Sequence, residues 1–138
     1  MLRIHKKMLS FVLISGGLIG STPLYAALQQ CPAVNQVVQN GIITTPAGWQ
    51  MLNMTFDSTT ALNLVVFSQV TCQGNNAYTV QITCQYANPT NSAHFSLVSN
   101  VSSSTAPVAF SGNWGFEPGN ICGNNTSCEG STCGWTAD

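Results

Sequence analysis

Every lysine and arginine of this chain falls within its first seven residues, at Arg3, Lys6 and Lys7. Beyond them stand six cysteines, one histidine (His94) and four carboxylates: Asp57, Glu117, Glu129 and Asp138. No Lys or Arg salt bridge can hold such a segment together. Its fold must rest on apolar burial, neutral hydrogen bonds and covalent staples. An even number of cysteines in an exported chain predicts disulfides, here three, formed in an oxidising compartment by Cys31, Cys72, Cys84, Cys122, Cys128 and Cys133. A zinc site would show a C-x2-C pair or additional histidines, and the spacing has neither. No metal and no cofactor is expected.

The three basic residues open a segment with the parts of a secretory signal. An apolar run from Met8 to Ile19 follows them, then the small-residue exit Ser21-Thr22-Pro23-Leu24-Tyr25-Ala26-Ala27. The run is roughly a dozen residues, where a membrane span needs about twenty. Residues 1–26 are therefore expected to be a cleaved signal peptide. Cys31 follows Gln29-Gln30 rather than a small residue, which argues against a lipid anchor there. The remaining 27–138 suffices for a single domain with one core. It is rich in Asn, Gln, Ser and Thr yet poor in charge, which is the opposite of a disordered composition.

A period of two runs through this region. From Tyr78 to Tyr86 every even position is apolar, aromatic or Cys, and every odd one is Thr or Gln, as in a half-buried strand. Similar alternation predicts strands over Leu62–Cys72, with Leu64, Val66 and Val70 inward, and through Leu52, Met54 and Phe56. It also predicts strands through Phe95, Leu97 and Val101, and through Val108, Phe110, Trp114 and Phe116. Shorter β-like pieces lie at Val34–Val38 and Ile42–Thr45. The expected fold is all-β, a single antiparallel sandwich or small barrel of about six or seven strands, stapled by disulfides. Residues 120–138 read as an irregular Cys-rich tail.

The hairpin between the two clearest strands bears on the cysteines. A three-residue loop at Gly74-Asn75-Asn76 would pair Cys72 with Tyr78, Val70 with Val80 and Val66 with Cys84. Cys72 and Cys84 would then lie roughly 20 Å apart at about 3.3 Å per residue. A disulfide needs Cα atoms within about 7 Å. These two should therefore not bond to each other; Cys84 is expected to reach Cys31 and Cys72 a cysteine of the tail, the other two closing a small loop, while the sequence leaves the full connectivity open.

The charge balance also excludes partners. Nucleic acid requires Lys or Arg against phosphate, and an anionic membrane surface requires the same. No serine stands in a nucleophile motif, and His94 falls on the polar side of its strand, so no catalytic residue is assigned. Glu117 and Glu129 are the one carboxylate pair that a folded-back tail could bring together for glycoside hydrolysis. Among the tryptophans, Trp114 shares a face with Phe110 and Phe116 and reads as core. Trp49 and Trp135 either cover the core edge or stack on the apolar faces of a neutral sugar, with nearby amides bonding its hydroxyls.

Cys31-Pro32 and Cys84-Gln85-Tyr86 resemble small exported bacterial domains without an assigned activity. The resemblance spans about Cys31 to Tyr86 and implies an exported β domain. The expected role is a non-enzymatic binding module for a neutral glycan or a protein partner. The alternatives are a surface-assembly subunit that associates through β edges, since no Lys is available to guard them, and a small secreted hydrolase. The sequence leaves the oligomeric state open. Four carboxylates without strong cationic partners predict a melting temperature nearly flat from about pH 3 to 8.

Overall fold

The computed structural model describes residues 27–56, 61–115, 122, 126–130 and 132–138. The expected signal segment, Asp57, Phe116 and Glu117 lie outside the described residues. In chain order the strands are β1 (Gln29–Gln30), β2 (Val38–Gln39), β3 (Ile42–Ile43), β4 (Gln50–Leu52) and β5 (Val66–Asn76). They continue as β6 (Thr79–Ala87), β7 (His94–Ser102), β8 (Ala109–Ser111), β9 (Thr126–Cys128) and β10 (Gly134–Thr136). One helical turn, α1 (Val34–Val37), and one 3-10 turn, Leu62–Leu64, interrupt them. The strands form a five-stranded antiparallel sheet of order β4-β7-β6-β5-β9, a three-stranded sheet β1-β10-β8 and the small hairpin β2-β3. The fold is all-β and disulfide-stapled.

The inward faces of the two larger sheets share one core. Val70, Cys72, Val80, Ile82, Cys84 and Tyr86 come from the β5-β6 pair, and Phe95 and Leu97 from β7. The three-stranded sheet adds Trp135 and Phe110. Tyr86 lies between two rings, stacked on Phe95 at 4.9 Å and edge-on to Phe67 at 5.8 Å. Its hydroxyl donates to the Pro32 carbonyl, so the one polar atom of this buried residue is satisfied. Burial pushes the phenol well above its ordinary pKa.

Several expectations need correction. The hairpin turns at Ala77-Tyr78, not at Gly74-Asn75-Asn76. The Asn76 side chain accepts from the Tyr78 and Thr79 amides, both at 2.8 Å, and satisfies the turn's backbone donors. This turn pairs Asn76 with Thr79, and an inserted residue at Asn75 then shifts the register, so that Gly74 faces Val80, Cys72 faces Ile82 and Val70 faces Cys84. Further along, Phe67 faces Tyr86 while Gln69 faces Gln85, so Ser68 is an inserted residue. This bulge inverts the parity of β5. Val65 is buried as a result, whereas Leu64 and Val66 are exposed.

Near the start, Val34–Val37 is helical rather than extended. Pro32 precedes it, and the Gln36 side chain accepts from the Ala33 amide at 2.8 Å. Leu52 is exposed because Met51, opposite Leu97, takes the inward position of β4 and sets Leu52 outward beside Ser96; Met54 lies past the strand's end, where Asn53 turns the chain at φ +52°. The tail is not irregular: β9 closes one edge of the larger sheet and β10 is the central strand of the smaller one. Gly134 allows this, since a Cβ there would stand 2.7 Å from the Gln29 carbonyl oxygen of the paired strand.

The disulfides are Cys31–Cys84, Cys72–Cys122 and Cys128–Cys133. The assigned pairing holds, but not for the reason given. In the observed register Cys72 and Cys84 are diagonal neighbours on the same inner face. Cys84 reaches down to the N-terminal segment and Cys72 to the tail. Three disulfides place the protein in an oxidising compartment. Among the described residues, no helix is long and apolar enough to cross a membrane.

The sheet edges are blunted without charge. β1 has two residues, and β4, β8 and β9 have three each. Gly48 (φ +83°) and Asn53 bound β4 on either side, in conformations that cannot continue a strand.

Asp138 anchors the end of β10. Its carboxylate accepts from the Ser103 and Thr105 hydroxyls and from the Ser104 and Thr105 amides, the latter two at 2.8 and 2.9 Å. Bonding from Ser103 first, then from these amides, holds its pKa below the ordinary carboxylate value. A depressed folded pKa contributes stability above the unfolded pKa of about 3.9, lost as pH falls through the folded value. The expected flat profile therefore needs an acid limb. Thermal melts should be flat at neutral pH and fall below about pH 4. Asp138→Asn should melt lower at neutral pH and lose most of that limb. An unchanged limb in the variant would assign it to another carboxylate.

Candidate functional site

The outward face of the five-stranded sheet carries the odd positions of β6, namely Thr79, Gln81, Thr83 and Gln85, which the period-two pattern sets opposite the core. The register aligns them with their neighbours. Gln73, Gln81 and Asn100 form one row, and Thr71, Thr83 and Val98 the next. Gln69, Gln85 and Ser96 form the third, with Leu52 beside Ser96. Residues opposed across an antiparallel pair point to the same side, so each row is a strip across the sheet.

Side-chain amides link these strips. Gln69 Nε2 donates to Gln85 Oε1 at 2.6 Å, and Gln81 Nε2 donates to Asn100 Oδ1 at 3.3 Å. Each pair leaves one amide oxygen and one NH2 directed away from the shared bond. Such groups both donate and accept, as a neutral sugar or amide requires. Among the described residues, no Lys, Arg, Asp or Glu stands in the rows.

Two depressions lie at the ends of this face. One, of about 270 Å³, is lined by Gln73, Thr79, Gln81 and Asn100. The other, of about 290 Å³, is lined by Asn53, Ser68, Gln85, Ala87, His94 and Ser96. Gln81 and Gln85 are roughly 13 Å apart along β6 at about 3.3 Å per residue, longer than one pyranose ring. His94 is exposed, as expected. Its Nδ1 lies 3.1 Å from the Ser92 carbonyl oxygen and 3.4 Å from the Thr55 hydroxyl. Its hydrogen bonds are thus to neutral groups.

Trp49 and Trp135 do meet, edge to face at 6.2 Å, but inside the protein. Trp135 is 1 % exposed and its Nε1 donates to Gln29 Oε1 at 3.0 Å. No ring face of Trp135 is open to a sugar, and Trp49 is half-buried against it. The pair covers the core, which was the other reading of these residues. Trp114 is core as expected, with its Nε1 bonded to the Ser111 carbonyl. A third, mainly apolar cleft beside Pro32 and Phe67 holds about 190 Å³. All three hollows are smaller than the about 300 to 1,000 Å³ of pockets that enclose a whole small ligand, and suit a chain lying across the surface rather than one buried in it. Among the described residues, no cluster of three or more His, Cys, Asp or Glu is placed to hold a metal ion.

Sequence reasoning named none of the row residues as a site. Their Thr/Gln alternation was visible, but only as the solvent side of a strand. Matched against protein-family models, curated proteins and solved structures, the chain shows similarity to none.

Proposed function

We propose that this chain is an exported, non-enzymatic binding module for a neutral glycan, and that the outward face of the five-stranded sheet is its binding surface. The observation that carries this reading is the set of aligned, uncharged amide and hydroxyl rows ending in two depressions. A charged ligand would lose hydration there without gaining a counter-charge. A polyhydroxylated neutral chain exchanges water for amides that both donate and accept, and its C–H faces can lie over Val98 and the Thr methyl groups. Thr83, at the centre of the middle row, supplies the test. Thr83→Arg should keep the melting temperature within a few degrees, because the side chain faces outward, and should abolish retention on immobilised neutral polysaccharides. The reading fails if the unmodified protein is retained on no neutral glycan, or if Thr83→Arg is retained equally.

Assembly through β edges is less well supported. The outermost strands are two or three residues long, and left-handed residues bound β4, so none of them offers a long ladder to a second copy. Export itself rests on the basic, apolar and small-residue parts of residues 1–26 and on the disulfides. Mass spectrometry of the exported protein should find a start at Ala27 or Leu28, and an intact Met1 would refute the cleaved signal.

A further inference from the structure

We infer that the glycan bound by this face carries N-acetyl groups, and that the depression at the His94 end seats one acetamido substituent. The inference rests on the glycan reading above and adds the class of sugar. The two depressions differ. The one at the Gln81 end is lined by amides and hydroxyls, with Val80 beneath. The one at the His94 end has an apolar strip next to its polar row. Val66, Ala87 and His94 are aligned across β5, β6 and β7, immediately beyond Gln69, Gln85 and Ser96. Val66 points outward because the Ser68 bulge inverts β5 at this point, and it is 47 % exposed. Leu52, 43 % exposed, flanks Ser96 on the other side.

An acetamido group has a methyl, a carbonyl acceptor and an N–H donor in one plane. The methyl fits Ala87, which lines the depression, with Val66 aligned beside it on β5. The amide fits Gln85, which lines the depression and whose NH2 takes no part in the bond between its Oε1 and Gln69, with the exposed Ser68 beside it; Ser96, aligned with Gln85, is buried at the inner edge. A plain hydroxyl in that place would leave the apolar strip against water. The charge balance agrees, since an acetylated amino sugar is neutral and its deacetylated form is a cation with no carboxylate to meet it among the described residues of this face.

The test compares two oligosaccharides of the same linkage and length, β-1,4-linked N-acetylglucosamine and β-1,4-linked glucose, by calorimetric titration into the full mature protein. The acetylated oligomer should bind about tenfold tighter, the gain of one or two hydrogen bonds and a buried methyl. Gln85→Met removes the amide at similar size and should bring the two affinities together. Ala87→Val narrows the apolar floor and should do the same, so the result does not depend on one variant's folding. If neither oligomer binds while the protein is retained on another neutral polysaccharide, the acetamido site is overturned and the glycan reading stands; retention on no neutral glycan at all overturns both. Equal binding of both leaves the glycan reading standing and overturns the acetamido site. A preference for the acetylated oligomer that survives both substitutions also overturns it.

Discussion

Replacing Cys31 and Cys84 together by alanine is expected to lower stability by about 4 kcal/mol, the chain-entropy value for a loop of this size. The bond joins residues 53 apart in sequence and ties the N-terminal segment to the central strand β6. Removing it frees the unfolded chain from its largest constraint. Cys84 is also fully buried, so alanine leaves lost contacts behind. Cys72–Cys122, with a separation of 50, should cost a similar amount. Cys128–Cys133 closes a separation of five and should cost about 2 kcal/mol. Domains of this kind are stable by only about 5–15 kcal/mol, so either long-loop removal takes a large share. Urea melts of the three paired variants give the ordering directly. A Cys128/Cys133 variant as unstable as the Cys31/Cys84 variant would show that strain or native packing, not loop length, sets the effect.

Trp135→Ala should cost about 3–5 kcal/mol, the usual range for deleting a large buried aromatic. The ring is 1 % exposed on the central strand of the smaller sheet, touches Trp49 and donates to Gln29. Its removal opens a cavity where the two sheets meet and leaves the Gln29 amide without that donor. Trp49 is half-buried, and Trp49→Ala should cost less than half as much. Differential scanning calorimetry of both variants separates the cases. A melting temperature for Trp135→Ala within a few degrees of the parent would mean that the ring is not buried. Trp49→Ala should also leave glycan retention intact, because the ring is turned toward Trp135 rather than toward the outward face of the larger sheet.

The main strand β6 was legible because it is half-buried along its whole length. Val80, Ile82, Cys84 and Tyr86 must all face the core, and that demand is written in alternate positions. The hairpin register was not legible. Sliding Cys72 from Tyr78 to Ile82 moves it by an even number of residues, which leaves every side chain on the same face. Hydrophobic pattern alone cannot distinguish such registers. The Asn76 side chain, satisfying two turn amides, together with the inserted Asn75, decided between them. The Ser68 bulge was hidden for a related reason. Val65, Val66 and Phe67 are all apolar, so both parities looked equally inward until Tyr86 took Phe67 as its partner. β9 and β10 are three residues each, too short to show any period.

By itself, the sequence determined the β class, the oxidising compartment, the full use of the cysteines and the lack of any Lys or Arg beyond residue 7. Those follow from residue inventory and from periodicity, which are local properties of the chain. The tertiary structure alone decided that Trp135 is core, that the Cys-rich tail completes both sheets, and that Gln69, Gln85, Gln81 and Asn100 become bonded pairs on one face. Each of these depends on which strand lies beside which, and that is set by side-chain hydrogen bonds, two inserted residues in β5 and close packing between segments far apart in sequence.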